Sequence, residues 1–414
     1  MLPPVLEIFV IWHPLDEAGE QVANEFVEHF RSASFSGVIG GGVHVAARSA
    51  GWTGASECPQ PCYSSQQQGP NGIEAAEYVA FVPLLGRQMA QAAQDEGSSW
   101  NRYIADLVES QRKDPSHIVI LPLLLDRSAL DGTRLGEIIG GYQQIGAASK
   151  MASGDDESGL RCRDLTQGLA QFLDDDENAR LTVFLSHTKR SNPTEGKDVD
   201  ELVETIRAFI ASTRLAEFFD AHDLQPGQDW ESELIKNASN SALLAVRTDL
   251  YASRAWCQRE VTVAKVAGMP VVTLDALGLG EERGSFLMDH VPRIPTRKSD
   301  SQWQHNDIAR ALNLLTNECL KREIWIKQQH LADRDASIAV DWWSPHAPEL
   351  LTLLAWIEHL QSSETSGGGQ MTILHPDPPL GHDELKTLQT LAKSSKLDLE
   401  IDVMTPRLLA MRGG

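Results

Sequence analysis

Long apolar runs are absent from this sequence, and none reaches the roughly 20 residues that a membrane-spanning helix needs. The first residues lack the basic stretch that opens a signal peptide, and Glu7 and His13 interrupt their apolar character. Both absences argue against a secreted or membrane-bound protein. We therefore expect a cytoplasmic protein with no membrane partner.

Cysteine and basic residues are also scarce. Only five cysteines occur in 414 residues, and this odd, scattered set favours a reducing compartment over a disulfide scaffold. No His or Cys cluster accompanies the one close pair, Cys58 and Cys62, so we expect no metal site. Asp and Glu number 58 against 36 Lys and Arg. The resulting charge of -22 argues against direct nucleic-acid binding, which requires clustered positive charge.

What the sequence does contain is an alternation of short apolar runs with helical patterns, which is typical of α/β layers around buried parallel strands. A chain of this length exceeds one ordinary core, so two or three domains are expected. The first series of this alternation predicts helices over 19–30 and 160–173 and strands over 6–12, 43–46, 77–83 and 118–124.

A charge run at 174–178 marks a joint, after which the same order of elements begins again. Each series carries a tryptophan in the helical stretch after its third strand, Trp100 in the first and Trp256 in the second. We interpret the repetition as a diverged internal duplication, with chance similarity between two α/β domains as the alternative. The second series predicts helices over 198–211 and 307–318 and strands over 181–186, 216–220, 242–246 and 270–274.

Beyond the second series, the pattern predicts a helix over 348–360, a linker over 362–370 and a strand-helix-strand unit over 371–403. Because this last unit is too small to bury both faces of a sheet, we expect it to pack on a neighbour. Trp342 and Trp343 are expected to be core. The predicted organisation is a domain over 1–176, a second over 178–325, and a helical segment with a small C-terminal α/β unit over 326–414.

Four local patterns in the second series carry the candidate chemistry. A buried strand, Val183-Phe-Leu-Ser-His187, ends in polar residues at the sheet edge where ligands of open α/β sheets collect. A strand and loop follow over 218–230, with a turn at Pro226-Gly227. The third pattern is a buried strand and polar loop over 241–253. The fourth is Ser253-Arg-Ala-Trp-Cys-Gln-Arg-Glu260.

The fourth pattern is the most specific one. Trp256 and Glu260 stand four residues apart, which predicts an aromatic plane and a carboxylate on one face of a helix. Two ordinary explanations compete with this one. Glu260 would be a surface carboxylate paired with Arg259 or Lys265, or Trp256 would face the sheet as core.

All four patterns, in this order over 180–321, resemble the TIR (Toll/interleukin-1 receptor) family of the bacterial NAD-cleaving type. The resemblance implies a flavodoxin-like α/β fold, present as two tandem parallel-sheet domains of which the first is a degenerate TIR-like copy. It implies that Glu260 is the catalytic residue. The other positions that it implies are substrate contacts at Trp256, Ser186, His187, Lys189, Phe219, Asp220 and Ser253, and a BB loop that includes Asp223, Leu224, Pro226 and Gly227.

Cleavage of NAD+ suits a single carboxylate. Nicotinamide leaves as a neutral base and needs no general acid, while positive charge builds on the ribose, where a preorganised carboxylate lowers the barrier. NAD+ would be a substrate, and no cofactor is expected. In the first series Ile104 aligns with Glu260, so the N-terminal copy is expected to be non-catalytic and to serve assembly or sensing.

The predicted function is therefore an NAD+ glycohydrolase that yields nicotinamide and ADP-ribose or a cyclic form. The resemblance implies activation by self-assembly of TIR domains, triggered by a small molecule or a partner protein, in bacterial antiviral defence or a stress response. Two alternatives stay open. One is a non-catalytic TIR adaptor that acts through TIR–TIR contacts, and the other is a domain that binds a nucleotide-derived signal without cleaving it.

Overall fold

The chain forms two compact units, each built around a parallel sheet. One unit is Met1–Ser149 with Asp156–Glu177, and the other is Asn178–Gly414 with Lys150–Asp155. The third predicted segment, 326–414, falls within the second unit. The computed structural model describes residues 4–35, 43–51, 54, 57–62, 76–146, 156–174, 181–188, 193–213, 215–218, 238, 240–281, 284–334, 339–363 and 369–412.

The sheet of the first unit has the order β2-β1-β3-β4, with β5 continuing along β3 beyond β4, and every pairing is parallel. The inner strand β1 is buried along its whole length, as a continuous apolar run predicts. The strands are β1 Leu6–Trp12, β2 His44–Arg48, β3 Tyr78–Leu85, β4 Ile118–Ile120 and β5 Leu123–Leu124. The helices are α1 Glu17–Arg31, α2 Arg87–Ala92, α3 Ser99–Lys113, α4 Arg134–Ile139 and α5 Glu157–Leu173.

The predicted strand over 118–124 is interrupted in the structure. β4 ends at Ile120 and β5 begins at Leu123. Pro122 lies in the gap, and because proline has no backbone N–H it cannot donate to a sheet ladder. The two short strands pair with successive parts of β3, so together they occupy one strand's place in the sheet.

The main sheet of the second unit has the order β7-β6-β8-β9-β10, again entirely parallel. Counted along this unit, the order is 2-1-3-4-5, which is the flavodoxin-like order. The predicted α/β class with parallel flavodoxin-like sheets is confirmed. The strands are β6 Thr182–Ser186, β7 Ala216–Phe218, β8 Ala242–Arg247, β9 Val271–Asp275 and β10 Arg293–Pro295. The flanking helices are α6 Pro193–Ala211, α7 Ala255–Val266 and α8 His305–Ala332.

Two elements of this sheet differ from the sequence prediction. β10 was not predicted, because Arg293–Pro295 is a short, largely exposed edge strand without an apolar run. α8 continues well past the predicted end at Glu318. The buried apolar stripe continues there through Leu320, Ile324 and Leu331, and Lys321 lies 2.7 Å from Glu318.

The C-terminal part of the second unit is a small parallel sheet of order β13-β14-β15. Trp342–Trp343 adds a third strand to the predicted strand-helix-strand unit. Trp342 and Trp343, predicted to be core, are half-buried, and Trp342 stacks on the core residue Trp356 with ring centroids 5.1 Å apart. A hairpin of β11 Lys298–Ser299 and β12 Gln302–Trp303 precedes α8. The remaining elements are β13 Trp342–Trp343, β14 Gln370–Leu374, β15 Glu400–Met404, α9 Leu350–Ser362, α10 His382–Lys393 and α11 Pro406–Arg412.

The described residues contain neither a candidate membrane-spanning helix nor a candidate metal-binding cluster. None of the helices they form has both the length and the apolar composition needed to cross a membrane. In the same part of the chain, no group of three or more His, Cys, Asp or Glu side chains is arranged to hold a metal ion.

Candidate active site

The candidate site lies where two neighbouring strands of the second sheet end. β6 ends at Ser186 and pairs with β8, whose last residue is Arg247. β7, the next strand in sequence after β6, lies beside β6, and β9, the next after β8, lies beside β8 on the opposite side of the pair. In parallel sheets of this order, ligands bind in the crevice at such a switch point.

Three buried polar side chains from different elements meet at this crevice. Ser186, Tyr251 and Glu260 expose 1%, 0% and 7% of their surface. The Ser186 hydroxyl donates a hydrogen bond to Oε2 of Glu260, and its oxygen lies 2.6 Å from the Tyr251 hydroxyl. Because a serine hydroxyl carries a single hydrogen, Tyr251 is the donor in the second bond. The three groups form one directed chain of hydrogen bonds, which we call the Glu260 network.

Tyr251 is the member of this network that sequence reasoning missed. It opens the single 3-10 turn Tyr251–Ser253 between β8 and α7. Burial raises the pKa of its hydroxyl well above the ordinary value, and the nearby Cys257 and Glu260 add to the rise. The phenol therefore stays protonated and remains a donor. The one available signal was an aromatic residue inside a polar loop.

Glu260 reaches the crevice because it belongs to the buried stripe of α7. Cys257, Val261 and Ala264 are the apolar members of this stripe, at spacings of three and four residues. A carboxylate in an apolar stripe is costly unless it gains hydrogen bonds, and Ser186 supplies one. The explanation of Glu260 as a surface carboxylate is therefore wrong.

Trp256 and Lys265 on the same helix also correct earlier expectations. Trp256 exposes 45% of its surface, so it does not face the sheet. At 3.6 residues per turn it lies about 40° further round the helix than Glu260, which is enough to move it from the buried stripe to the surface. Lys265, named above as an alternative partner of Glu260, forms an ion pair with Glu349 instead, with 2.7 Å between its ammonium and that carboxylate.

Of the other predicted substrate contacts, His187 and Ser253 lie within the described residues. The backbone carbonyl of His187 accepts a hydrogen bond from the Cys257 thiol at 3.7 Å, which ties the end of β6 to α7. Ser253 is exposed, and its hydroxyl donates to the carbonyl of Leu250 at 2.7 Å. The structure thus brings Ser186 and Glu260 together and leaves Ser253 outside their network. The predicted positions that lie outside the described residues are Lys189, Phe219, Asp220, Asp223, Leu224, Pro226 and Gly227.

The first unit has rings and aliphatic groups at the corresponding positions. β1 ends at Trp12, and Ile104, which aligns with Glu260, is fully buried. Trp100 exposes only 1% of its surface and packs on His13 with ring centroids 5.1 Å apart. Trp100 is therefore a core residue, unlike its counterpart in the second unit.

Comparisons of the chain with models of known protein families, with curated proteins and with solved structures found no match. The geometry of the Glu260 network is thus the basis for assigning a function.

Proposed function

We propose that the second unit is a TIR-type NAD+ glycohydrolase in which Glu260 stabilises the transition state of nicotinamide release. The observation that carries this proposal is the buried chain of hydrogen bonds from Tyr251 through Ser186 to Glu260, at the switch point of a 2-1-3-4-5 parallel sheet. The four sequence patterns that resemble TIR domains support the same assignment.

The chemistry of NAD+ explains why one buried carboxylate is sufficient. The nicotinamide ring carries the positive charge of the substrate and leaves as a neutral base, so no acid has to protonate it. As the bond to ribose lengthens, the positive charge moves to the sugar. A fixed carboxylate in a poorly solvated place stabilises that charge more strongly than water does, and without reorganisation.

Ser186 and Tyr251 act as positioning residues in this mechanism. The bond from Ser186 holds one oxygen of Glu260, and the bond from Tyr251 holds the serine hydroxyl. The orientation of the carboxylate is therefore set before substrate binds. Trp256, with an exposed ring one turn away, is proposed to stack on a ring of the dinucleotide, and His187 and Lys189 to meet its ribose or phosphates.

The wider role belongs to the same proposal. We assign the enzyme to the cytoplasm and its activation to self-assembly, triggered by a small molecule or a partner protein during antiviral defence or stress. The first unit is proposed to be non-catalytic, since Ile104 stands where Glu260 stands in the second unit. Gating by assembly is chemically sensible, because unregulated NAD+ cleavage would deplete the cell's own dinucleotide.

The test is nicotinamide release from NAD+ by the full-length chain, over a range of protein concentrations and with a crowding agent. Gln at position 260 keeps the shape of the side chain but removes its charge. We expect Glu260→Gln to lower the rate by about 100-fold or more. The matched control is Glu318→Gln on α8, a carboxylate of similar burial, which should leave the rate unchanged. Activity retained by folded Glu260→Gln would sink the mechanism.

One observation favours the second candidate, a TIR adaptor without catalysis. Trp256 and Phe286 expose 45% and 60% of their surfaces, and exposed aromatic side chains are typical of interaction surfaces. A folded wild type that releases no nicotinamide under any condition, but whose self-association is lost in Trp256→Ala, would identify the adaptor.

A further inference from the structure

The second unit contains a large cavity that the Glu260 network does not use. Its volume is about 1430 Å³, and its walls are mainly residues that follow β8, β9 and β10, together with part of α6. Among the described residues that line it, Ser186, Tyr251 and Glu260 are absent. Pockets for small molecules measure roughly 300–1,000 Å³, so this cavity has room for a segment of polypeptide.

Apolar side chains at this cavity are exposed to water. Leu279 is fully exposed, and Phe286 is largely exposed as well. Leu250 and Leu277, both half-buried, add to the apolar lining. A small molecule inside the cavity would leave Leu279 and Phe286 in water, whereas a protein segment laid across it would cover them. Clustered apolar groups of this kind mark interaction sites.

The loop that carries Leu279 is held in place by the protein itself. The carboxylate of Asp249 accepts hydrogen bonds from the backbone N–H groups of Gly278, Leu279 and Gly280, at 2.9, 2.8 and 3.1 Å. Three bonds to one carboxylate fix the loop that follows β9. A partner that binds there therefore loses little affinity to ordering of the loop.

Two groups of charged side chains flank the cavity, and in each group two carboxylates share one cation. In the first group, the carboxylates of Asp198 and Glu201 each lie 2.8 Å from the ammonium of Lys298. One positive charge cannot neutralise two negative charges. This side of the cavity therefore keeps one negative charge.

The second group has the same composition. The guanidinium of Arg247 lies 2.5 Å from the carboxylate of Glu281 and 3.6 Å from that of Asp275. Asp249 adds a carboxylate whose bonds to the loop leave its charge in place, and the exposed Arg297 adds a cation. Counted over the described residues, five carboxylates and three cations leave a formal charge of -2 around the cavity. A cleft with an excess of one sign attracts the opposite charge.

We propose that this cavity is a docking site for a basic segment of a partner protein, one that carries apolar side chains among its lysines or arginines. Leu279 and Phe286 pack against the apolar side chains, and the excess of carboxylates binds the cations. A second copy of this chain does not fit, because copies with a charge of -22 repel one another. The site is independent of NAD+ cleavage and of Glu260.

The test is the fluorescence anisotropy of labelled peptides titrated with the full-length protein at about 0.15 M NaCl. Three peptides of equal length serve as probes. The first consists of leucine and lysine, the second has glutamate in place of lysine, and the third has serine in place of leucine. The first should bind. Each of the others should bind at least about tenfold more weakly, because one meets like charge and the other lacks apolar anchors.

Variants of the cavity separate docking from a general attraction of basic peptides to an acidic protein. Leu279→Ser keeps the backbone N–H that bonds Asp249, and it should weaken binding of the leucine–lysine peptide by about tenfold. The matched control is Met411→Ser on α11, an exposed apolar residue that is not among the lining residues, which should change nothing. Asp198→Asn should weaken binding by a few-fold, and Glu204→Gln, on the same helix but outside the lining, by less.

Four results would overturn the proposal. The first is that the leucine–lysine peptide does not bind, or binds no better than the other two. The second is that Leu279→Ser and Asp198→Asn bind it as their controls do, which would show general attraction only. The third is that phenethylamine, a small organic cation, displaces the peptide with an equal affinity, which would show a small-molecule site. The fourth is a wild-type dimer, seen by analytical ultracentrifugation, that dissociates in Leu279→Ser, which would show that a second copy occupies the cavity. None of these results depends on whether the chain cleaves NAD+.

Discussion

At the scale of single residues, the Ser186 hydroxyl is the group on which the candidate site depends. It donates to Glu260 and accepts from Tyr251, so one small side chain satisfies two buried polar groups. All three residues are at least nine-tenths buried. Water therefore cannot easily replace the serine if it is removed, and each partner would lose the hydrogen bond that Ser186 supplies.

The Ser186→Ala variant should accordingly lose about 1–3 kcal/mol of unfolding free energy, measured by urea denaturation. Tyr251→Phe removes only the hydroxyl of the second partner. In the Ser186→Ala background that hydroxyl is already unpaired, so adding Tyr251→Phe should cost little or restore some stability. Losses that simply add in the double variant would contradict the hydrogen-bond chain.

Part of this site could be predicted from the sequence and part could not. The position of Ser186 at the end of a buried strand predicts a place at the sheet edge, whereas Glu260 was identified through the resemblance of 253–260 to TIR domains. Tyr251 was not found, because its burial depends on how the turn after β8 folds under α7. Trp256 was predicted to share the face of Glu260, but a difference of about 40° on the helix moved it to the surface.

At the scale of elements, α7 is joined to the C-terminal part of the unit by a buried ion pair. The ammonium of Lys265 lies 2.7 Å from the carboxylate of Glu349, and Glu349 is also the N-cap residue of α9. The same ammonium donates hydrogen bonds to the backbone carbonyls of Leu287 and Asp289 at 2.8 Å each. Burial lowers the pKa of Lys265 and raises that of Glu349. The pair therefore depends on both partners being present.

Lys265→Met should lower the unfolding free energy by about 3–5 kcal/mol at neutral pH, because it leaves the Glu349 carboxylate buried without its cation. Glu349→Gln keeps an oxygen for the helix cap, so the double variant should lose less than Lys265→Met alone. The loss in Lys265→Met should also shrink as pH falls. Burial raises the pKa of Glu349 and the interactions with Lys265 lower it, so removing Lys265 lifts the folded-state pKa further above the unfolded value. The variant therefore gains more stability than the wild type as pH falls through that window.

Urea denaturation of the wild type, the Lys265→Met variant and the Lys265→Met/Glu349→Gln double variant at about pH 7.5 and about pH 5 checks these expectations. A loss in Lys265→Met that grows towards acid, or a double variant that is the least stable of the three, would count against the buried pair.

The strands and helices themselves were largely predictable, and the exceptions have separate causes. Buried parallel strands such as β1 and β8 can be predicted because each is a continuous apolar run in the sequence. β10 could not be found in that way, because an exposed edge strand contains no such run. The C-terminal end of α8 lies beyond the predicted boundary although Leu320, Ile324 and Leu331 continue its buried stripe, because the charged residues 321–323 interrupt the apolar pattern.

At the scale of the whole molecule, the formal charge of -22 bears on self-assembly. Copies of this chain repel one another at low ionic strength, and salt screens that repulsion. If assembly activates the second unit, the rate at saturating NAD+ should rise as NaCl increases from about 0.05 M to about 0.3 M. The protein concentration that gives half-maximal rate should fall at the same time.

Initial rates of nicotinamide release across both salt and protein concentration measure this effect. Salt weakens the binding of a charged substrate such as NAD+. At a saturating NAD+ concentration the site stays occupied, so this weakening does not change the measured rate. A rate per protein that ignores both variables would contradict activation by assembly, and the enzyme would then act as a single copy.

The central claim concerns one carboxylate, and nicotinamide release by wild type and Glu260→Gln tests it most directly. Wild-type protein should release nicotinamide from NAD+, and the folded Glu260→Gln variant should release about 100-fold less or none. Equal rates in the two proteins would contradict a catalytic role for Glu260, and with it the function proposed for the second unit.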